Sequence, residues 1–364
     1  MRTMMKRLLP AVLLAVPSFA AAAAADCPAD GGDIACLRRA YAQPITQWPA
    51  AQVEGKVAWR EMAAAAAPDL PAPPAPLLGL GTRLFFDTAL SASGKIACAS
   101  CHRPDHAYAD AQPVTPGHLG RKGRRNAPAL VGVRHAQSLF WDGRAPSLEL
   151  QALGPIADQA EMAMDINRLP DKLAAISGYA EAFTAAWGDA EISLPRIQAA
   201  LAAYQRTLAP APTAFDAFLK GDAQALDDKQ LRGLHLYRTK ARCMTCHDGP
   251  ALSDSQFHNL GLTYFGRKYE DLGRYGVTGD NADVGKFKTP TLRNVSRSGP
   301  WMHNGLFPSL RGILNAYNAG MFRPRPANAA QAADPRFPVT SPLLAPLQLR
   351  PDEIEALEAF LKVL

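Results

Sequence analysis

The chain has 364 residues, of which 48% are hydrophobic and 20% are charged, and its formal net charge is +6. This composition excludes an intrinsically disordered chain, and the length is sufficient for two ordinary domains with a core in each. Without Arg2, Lys6 and Arg7 the net charge falls to +3, which is too small to indicate nucleic-acid binding.

Residues 1–25 have the pattern of a secretory signal peptide. Basic residues precede the apolar run LLPAVLLAVPSFA, and an alanine tract follows it. No later apolar run is long enough to span a bilayer, and Cys27 follows Asp26 rather than a small residue, which argues against a lipoprotein anchor. We therefore expect a soluble exported protein of the bacterial periplasm. In that oxidising compartment Cys27 and Cys36, nine positions apart, predict a disulfide.

Composition divides the rest of the chain into an extension and two units of similar size. Residues 26–76 form the extension, which ends in a proline-rich stretch, Pro68–Gly79, that predicts a stiff connector. We expect domains at 77–222 and 223–364, and we expect the extension to pair with the first of them. The basic cluster Gly120–Arg125 is interpreted as a solvated loop, with a docking patch or a salt bridge to an acidic cofactor edge as alternatives.

Helical patterns dominate both units. Pro195–Leu208 begins with proline at a position that suits the first turn of a helix, and Pro351–Leu364 places its apolar residues on one stripe. A third pattern, Lys229–Cys243, predicts a helix that runs directly into a cysteine and packs against the C-terminal helix. Alternating strand patterns are not convincing anywhere, so the predicted fold is mainly α.

The motif C-x-x-C-H occurs twice, 145 positions apart. Two cysteines at this spacing can form thioethers with the vinyl groups of one haem, and the adjacent histidine can bind its iron. A zinc site would place its second cysteine pair closer, and a disulfide within each motif is the other alternative. We therefore predict two covalently attached haem c groups. The residues concerned are Cys98, Cys101, His102, Cys243, Cys246 and His247.

Seven segments in order resemble the bacterial di-haem cytochrome c peroxidases and their relatives, the MauG-type enzymes that mature a protein-derived quinone. The segments are LGLGTRLFFDTALSASGKIACASCH, RRNAPAL, FWDGRAPSLELQALGPIADQAEM, FDAFLKGD, CMTCHDGP, GKFKTPTLRN and GPWMHNGLFPSL. The resemblance covers roughly residues 77–364. It implies two cytochrome c-like domains, each with one covalently attached haem, and peroxide chemistry at the N-terminal haem. It also implies a calcium ion held by Asn126 and the backbone carbonyls of Ser298 and Pro300.

The resemblance also implies roles for residues around the first haem. His102 is the expected proximal ligand, and His118 stands where peroxidases carry a removable distal histidine on a mobile loop. Gln151 and Glu161 stand at the distal-pocket positions, where Glu161 would move a proton from one peroxide oxygen to the other. Trp141 matches a tryptophan that lies between the two haems. The alternatives are a solvated loop for His118, a charged turn for Glu161 and core packing for Trp141.

The sixth ligand of the second haem is also inferred from the resemblance. Peroxidases of this family place methionine, and MauG-type enzymes tyrosine, 14 residues after the histidine that corresponds to His303, and this spacing reaches Tyr317. Met321 lies one helical turn further on, but Gly320 predicts that the helix ends before it. We therefore favour Tyr317 as the ligand. The role of His303 is left open, and the remaining histidines, His106, His135, His235 and His258, are interpreted as surface or packing residues.

The function predicted from these residues is a periplasmic peroxidase that reduces hydrogen peroxide to water with two external electrons. A small cytochrome c, a cupredoxin or a quinol are all suitable donors, and a homodimer is left open. The first alternative is a MauG-type oxidase that modifies a side chain of a partner protein. Against it, MauG-type enzymes carry tryptophan just before the second motif, where this chain has Ala241. The second alternative is a pure electron-transfer cytochrome, which would not need Gln151 and Glu161.

Overall fold

The computed structural model describes residues 27–65 and 71–364, so the predicted signal peptide lies outside the described residues. The described chain is mainly helical, as expected, and in these ranges no helix is both long and apolar enough to cross a membrane. Two short strands, β1 (Phe257–Asn259) and β2 (Lys286–Lys288), pair antiparallel. The helices are α1 (Ile34–Tyr41), α2 (Ala75–Phe86), α3 (Cys98–Cys101), α4 (Leu148–Ala157), α5 (Leu169–Ala174), α6 (Tyr179–Trp187), α7 (Leu194–Arg206), α8 (Ala214–Leu219), α9 (Asp228–Arg238), α10 (Tyr275–Thr278), α11 (Leu310–Asn318), α12 (Ala329–Ala333) and α13 (Pro351–Leu361).

The first core is built where α2 crosses α7. A Cβ atom on Gly81 of α2 would lie 2.0 Å from the carbonyl oxygen of Ala200, so only glycine permits this close approach. Helix α4 packs on the other side of α7, and the buried cluster extends from Leu80 to Leu208. The predicted helix at Pro195 is confirmed, with the proline in the first turn of α7.

The second core is built in the same way where α9 crosses α13. A Cβ atom on Gly233 of α9 would lie 2.1 Å from the carbonyl oxygen of Ala356. The predicted packing of these two helices is therefore confirmed. The expectation that α9 runs directly into Cys243 is wrong, because the helix ends at Arg238 and the following Thr239 turns its hydroxyl back onto the carbonyl of His235 at 2.6 Å.

The N-terminal extension packs on the second core, and the expectation that it pairs with the first unit is wrong. Its helix α1 lies against α9. The physical reason is that its apolar side chains, Leu37, Tyr41, Trp48 and Met62, are buried in the same cluster as the residues of α9 and α13. The predicted disulfide between Cys27 and Cys36 is confirmed.

Two further expectations are corrected by the structure. The stiff connector is shorter than predicted, because α2 begins at Ala75 and Pro76 is tolerated in its first turn. The basic cluster is not a free solvated loop at Arg125. The guanidinium of Arg125 pairs with Asp142 at 2.5 Å in the first unit and with Asp271 at 2.7 Å in the second, so it ties the two units together.

Candidate functional site

A mainly apolar cavity of about 770 Å³ runs through both units. Both cysteine motifs lie in its wall, so the fold brings together the two sites that the sequence separates by 145 positions. The cavity also contains most of the other predicted site residues. Those in its wall are Cys98, Cys101, His102, Asn126, Trp141, Gln151, Glu161, Cys243, Cys246, His247, Ser298, Pro300 and Tyr317.

The four cysteines of the motifs are free thiols. A disulfide within each motif, one of the alternatives, is therefore absent from this structure. Burial raises the pKa of each of these thiols to about 12, so they are uncharged at neutral pH. Among the described residues, the group with metal-ligand geometry is Cys246, Asp254 and His258; it uses a single cysteine of one motif and does not explain why the motif is repeated.

The two motif histidines are oriented alike. Nδ1 of His102 lies 3.0 Å from the carbonyl oxygen of Tyr108, and Nδ1 of His247 lies 3.1 Å from that of Leu252. Because a carbonyl oxygen can only accept, Nδ1 carries the proton and Nε2 keeps its lone pair. Burial also lowers the pKa of both imidazoles, which favours the neutral form that binds a metal.

Gln151 and Glu161 lie in the cavity wall, and Glu161 is close enough to Cys101 of the first motif to raise the pKa of its thiol. Gln151 belongs to α4, and Glu161 lies in the turn after it, where its N–H donates to the carbonyl of Asp158 at 3.1 Å. Burial and the neighbouring Asp158 raise the pKa of the Glu161 carboxyl, and Arg144 partly opposes them. A raised pKa makes this carboxyl easier to protonate, which favours a role in acid–base chemistry.

His118 does not line the cavity. Its backbone N–H donates to the carbonyl of Glu161 at 2.7 Å. The neighbouring Gly117 lies so close to this turn that a Cβ atom would be 2.1 Å from the carbonyl oxygen of Ala160. In this conformation the loop supports the backbone of Glu161. The role of His118 as a distal ligand stays a prediction.

Trp141 and Asn126 of the first unit form a connected group with His303 of the second in the cavity wall. The indole Nε1 of Trp141 donates to the carbonyl of Asn126 at 2.9 Å, and the N–H of Asn126 donates to the carbonyl of His303 at 2.8 Å. The imidazole of His303 stacks on Phe287 with ring centroids 3.6 Å apart, and its buried Nε2 has no hydrogen-bond partner among the described residues. The sequence left His303 open; its position in the MHNG segment was the only signal.

The predicted calcium ligands come from both units. The side-chain nitrogen of Asn126 donates to the carbonyls of Gln112 and Pro113. This leaves its amide oxygen as the atom that could bind a cation. Ser298 and Pro300 of the second unit lie in the wall of the same cavity.

Tyr317 and Met321 differ in their relation to the cavity. Tyr317 lies on α11 in the cavity wall, and burial raises the pKa of its phenol, as do the nearby thiols of the second motif. The helix ends at Asn318, as Gly320 predicted, and Met321 follows in a left-handed conformation with φ +61°. Met321 is buried, but it does not line the cavity.

Sequence reasoning missed several charged residues of the cavity wall, among them Lys288 and Glu54. Lys288 on β2 is buried, which lowers the pKa of its amine to about 8, and it donates to the carbonyl of Ser138 at 2.7 Å. Glu54 belongs to the extension and pairs with Arg242 at 2.7 Å. Lys288 lies in the GKFKTPTLRN segment, and that position could have marked it as a candidate site residue. No local sequence pattern marked Glu54.

The residues present fit two haem c groups. Each site offers two free buried thiols, one imidazole with an available Nε2, and mainly apolar walls. The orphaned Nε2 of His303 and the amine of Lys288 are polar groups in the same wall that an acidic cofactor edge could meet. The donor set is therefore that of a di-haem protein.

Comparisons with known proteins agree with this geometry. Residues 76–224 match the family described as di-haem cytochrome c peroxidase. The chain is 38% identical over 244 residues to the methylamine utilization protein MauG of Methylophilus methylotrophus, which covers 66% of this chain and 71% of that protein. It is 32% identical over 338 residues to the cytochrome-c peroxidase IdrP1 of Pseudomonas sp. strain SCT, covering 82% and 85% of the two chains.

Solved structures show the same fold. A MauG-like protein associated with microbial copper homeostasis superimposes with a TM-score of 0.72 at 30% identity, over 86% of this chain and 95% of that chain. The di-haem peroxidase BthA of Burkholderia thailandensis superimposes with a TM-score of 0.68 at 26% identity, over 86% and 93%. The chain therefore belongs to the family of bacterial di-haem cytochrome c peroxidases and MauG proteins, and it is an oxidoreductase of the peroxidase type.

Proposed function

We propose that the chain reduces hydrogen peroxide at a haem attached to Cys98 and Cys101, with electrons that pass through a second haem attached to Cys243 and Cys246. The observation that supports this most is the shared cavity, which holds both motifs and also the pair Gln151 and Glu161 beside the first. Haem iron, once bound, supplies the electrons and the coordination site for peroxide. The protein supplies the ligands, the proton transfer and the separation from water.

Glu161 is the proposed acid–base residue of the first site. As a carboxylate it accepts the proton of one peroxide oxygen. As a carboxylic acid it then gives that proton to the other oxygen, which leaves as water. Its raised pKa suits both halves of this cycle. Gln151, with an amide donor and acceptor, would orient the peroxide beside it. His102 would hold the iron through Nε2.

At the second site we propose that His247 and Tyr317 would hold the haem iron. Burial and the nearby thiols raise the pKa of the Tyr317 phenol, so a phenolate there would need a neighbouring cation, which ferric iron would supply. A phenolate favours the higher oxidation state and lowers the potential, whereas a thioether such as Met321 does the reverse. The position of Tyr317 in the cavity wall and of Met321 outside it favours the phenolate.

Tyr317 also favours a second candidate function, a MauG-type oxidase that modifies a side chain of a partner protein. A low-potential second site is a poor store for incoming electrons, but it can share oxidising equivalents with the first site. Several relatives are named MauG and others are named peroxidases. The two candidates therefore differ in the final reductant, which is either a small redox donor or a protein side chain.

We further propose that the protein works in the periplasm and binds calcium between its units. The disulfide Cys27–Cys36 supports an oxidising compartment. The amide oxygen of Asn126 and the carbonyls of Ser298 and Pro300 are hard oxygen donors, which suit calcium.

The mass of the purified chain and one stopped-flow experiment test the proposal. The mass should contain two haem increments, and a chain with Cys243→Ala and Cys246→Ala should contain one. Peroxide should then oxidise a reduced small cytochrome c, cupredoxin or quinol at two electrons per peroxide. A single haem in the unaltered chain contradicts the two-site arrangement. Peroxide consumption without oxidation of any donor contradicts the peroxidase and leaves the MauG-type oxidase.

A further inference from the structure

Residues 52–63 of the extension, called the strap here, lie across the loop that contains the second motif. The N–H of Gln52 donates to the carbonyl of Arg238 at 2.7 Å, which fixes one end. The N–H of Glu54 donates to the hydroxyl of Thr245, between the two cysteines, at 3.0 Å. At the other end the N–H of Gly249 donates to the carbonyl of Arg60 at 3.1 Å. The strap therefore contacts the motif loop before, within and after the cysteines.

Two ion pairs reinforce these backbone contacts. Glu54 pairs with Arg242, the residue before Cys243, at 2.7 Å, and both side chains are part of the cavity wall. Arg60 pairs with Asp248, the residue after His247, at 3.0 Å. The Asp248 side chain is only 4% exposed, and it also accepts the N–H of Arg60 at 2.9 Å. One pair lies on each side of the motif.

The strap is also anchored by two buried arginines of the second unit. The Arg238 side chain is 1% exposed and pairs with both carboxylate oxygens of Glu61, at 2.5 and 3.0 Å. Arg293 is likewise buried and donates to the carbonyl of Ala63 as well as to Asp216. Without the strap, Arg238 would lose its carboxylate partner in a buried position. These anchors fix where Glu54 lies.

We propose that the strap is a positioning element of the second haem site, and that the Glu54–Arg242 pair at the cavity edge tunes the reduction potential there. This inference rests on the proposed function only in requiring a haem attached to Cys243 and Cys246. A positive charge near a haem favours its reduced form and a negative charge favours its oxidised form. In a partly buried site such charges are weakly screened.

The proposal predicts that removing the charge of Glu54 and removing that of Arg242 shift the reduction potential of the second haem in opposite directions. Glu54→Gln leaves the Arg242 cation unpaired, so the potential of the second haem rises. Arg242→Gln leaves the Glu54 carboxylate unpaired, so the potential falls. The double variant restores neutrality and returns the potential towards that of the unaltered chain. A segment that merely shields the haem from water would shift both single variants in the same direction.

The experiment is a spectroelectrochemical titration of the full di-haem protein, after its mass has shown the haem content. Glu355→Gln and Lys229→Gln are the matched controls, because this pair, 3.6 Å apart, lies in the same unit but outside the cavity wall. The controls should leave the potential almost unchanged.

Each outcome decides the proposal. Opposite shifts that cancel in the double variant support it. Unchanged potentials, or shifts in the same direction, with both haems attached overturn it while leaving the proposed function intact. An unaltered chain that lacks the second haem overturns both. If Arg242→Gln is the one variant that fails to retain the haem, two measurements decide the question. The reduction potential of the second haem should rise in Glu54→Gln and return to the value of the unaltered chain in Glu54→Asp.

Discussion

The two units use the same scaffold for different chemistry. Each crosses a pair of helices at a glycine, Gly81 in the first and Gly233 in the second, and each fixes its motif histidine through Nδ1 on a backbone carbonyl. The difference lies in the residues that line the rest of each site. The first has Gln151 and Glu161, of which Glu161 is the proposed acid–base residue, whereas the second has Tyr317. The repeated motif would therefore account for a shared cofactor, and the other residues of each site would account for different roles.

A second difference is the extension, which packs on the second unit alone. It adds buried apolar side chains to that core and two ion pairs beside the second motif. No comparable segment contacts the first motif among the described residues. The first site depends instead on the turn of Glu161 and the loop of His118. The first unit thus holds Glu161, its proposed acid–base residue, on a turn, whereas the extension packs on the outside of the second unit.

The largest effect that the comparison predicts is the loss of peroxide turnover in Glu161→Gln. The amide cannot carry the proton between the two oxygens, so turnover should fall by about 10²–10⁴-fold. Both haems should remain attached, because Glu161 belongs to neither motif. Peroxide consumption and the mass of the variant measure the two properties.

Glu149→Gln is the matched control for this prediction. Glu149 lies on the same helix as Gln151, but it pairs with Arg206 at 2.6 Å and does not line the cavity. Its replacement should leave turnover close to that of the unaltered chain. Near-normal turnover in Glu161→Gln would remove this carboxylate from the mechanism. Glu161 would then no longer distinguish the chemistry of the first site from that of the second.

The next effect concerns the stability of the second unit. Glu61→Gln replaces the carboxylate that pairs with buried Arg238. Removing one partner of a buried pair typically costs about 3–5 kcal/mol, and we expect about 3 kcal/mol because the Glu61 side chain is 29% exposed. Denaturant unfolding of the full chain measures this loss. Glu191→Gln, which removes one of the two exposed carboxylate partners of Arg196 in the first unit, should cost at most about 1 kcal/mol. Equal losses in the two variants would contradict a special role of the extension.

How far the sequence predicts this molecule depends on the range of the interaction involved. Local patterns in the sequence predict the two cysteine motifs, the helices at Pro195 and Pro351, and the disulfide. The structure contains both helices and the disulfide as expected. The place of the extension was not predictable, because α1 joins a core formed by residues about 190 positions away, as the 194-residue separation of Tyr41 and His235 shows. Arg125 was misinterpreted for the same reason, since its partner Asp271 lies in the other unit.

The third prediction tests the residue that most distinguishes the second site. Tyr317→Phe removes the proposed phenolate, so the low-spin ferric signal should change and the potential of the second haem should rise. Met321→Leu should change neither, because Met321 lies outside the cavity wall. Electron paramagnetic resonance and a redox titration measure the two properties. If Met321→Leu loses the signal and Tyr317→Phe keeps it, sulfur is the ligand and the contrast between the units becomes that of a conventional peroxidase.

The smallest effect is expected from removal of calcium. The proposed ligands come from both units, Asn126 from the first and the carbonyls of Ser298 and Pro300 from the second, so chelation should loosen the contact between them. Arg125 limits the consequence, because its ion pairs with Asp142 and Asp271 join the same two units without the metal. We therefore expect a few-fold loss of peroxide turnover and a changed spectrum of the first haem, both restored by added calcium but not by magnesium, which fits flexible carbonyl sites poorly. A chain that keeps its spectrum and turnover after exhaustive chelation has no functional calcium here, and its units are then held together by direct contacts, among them the ion pairs of Arg125 and the Trp141–Asn126–His303 hydrogen bonds.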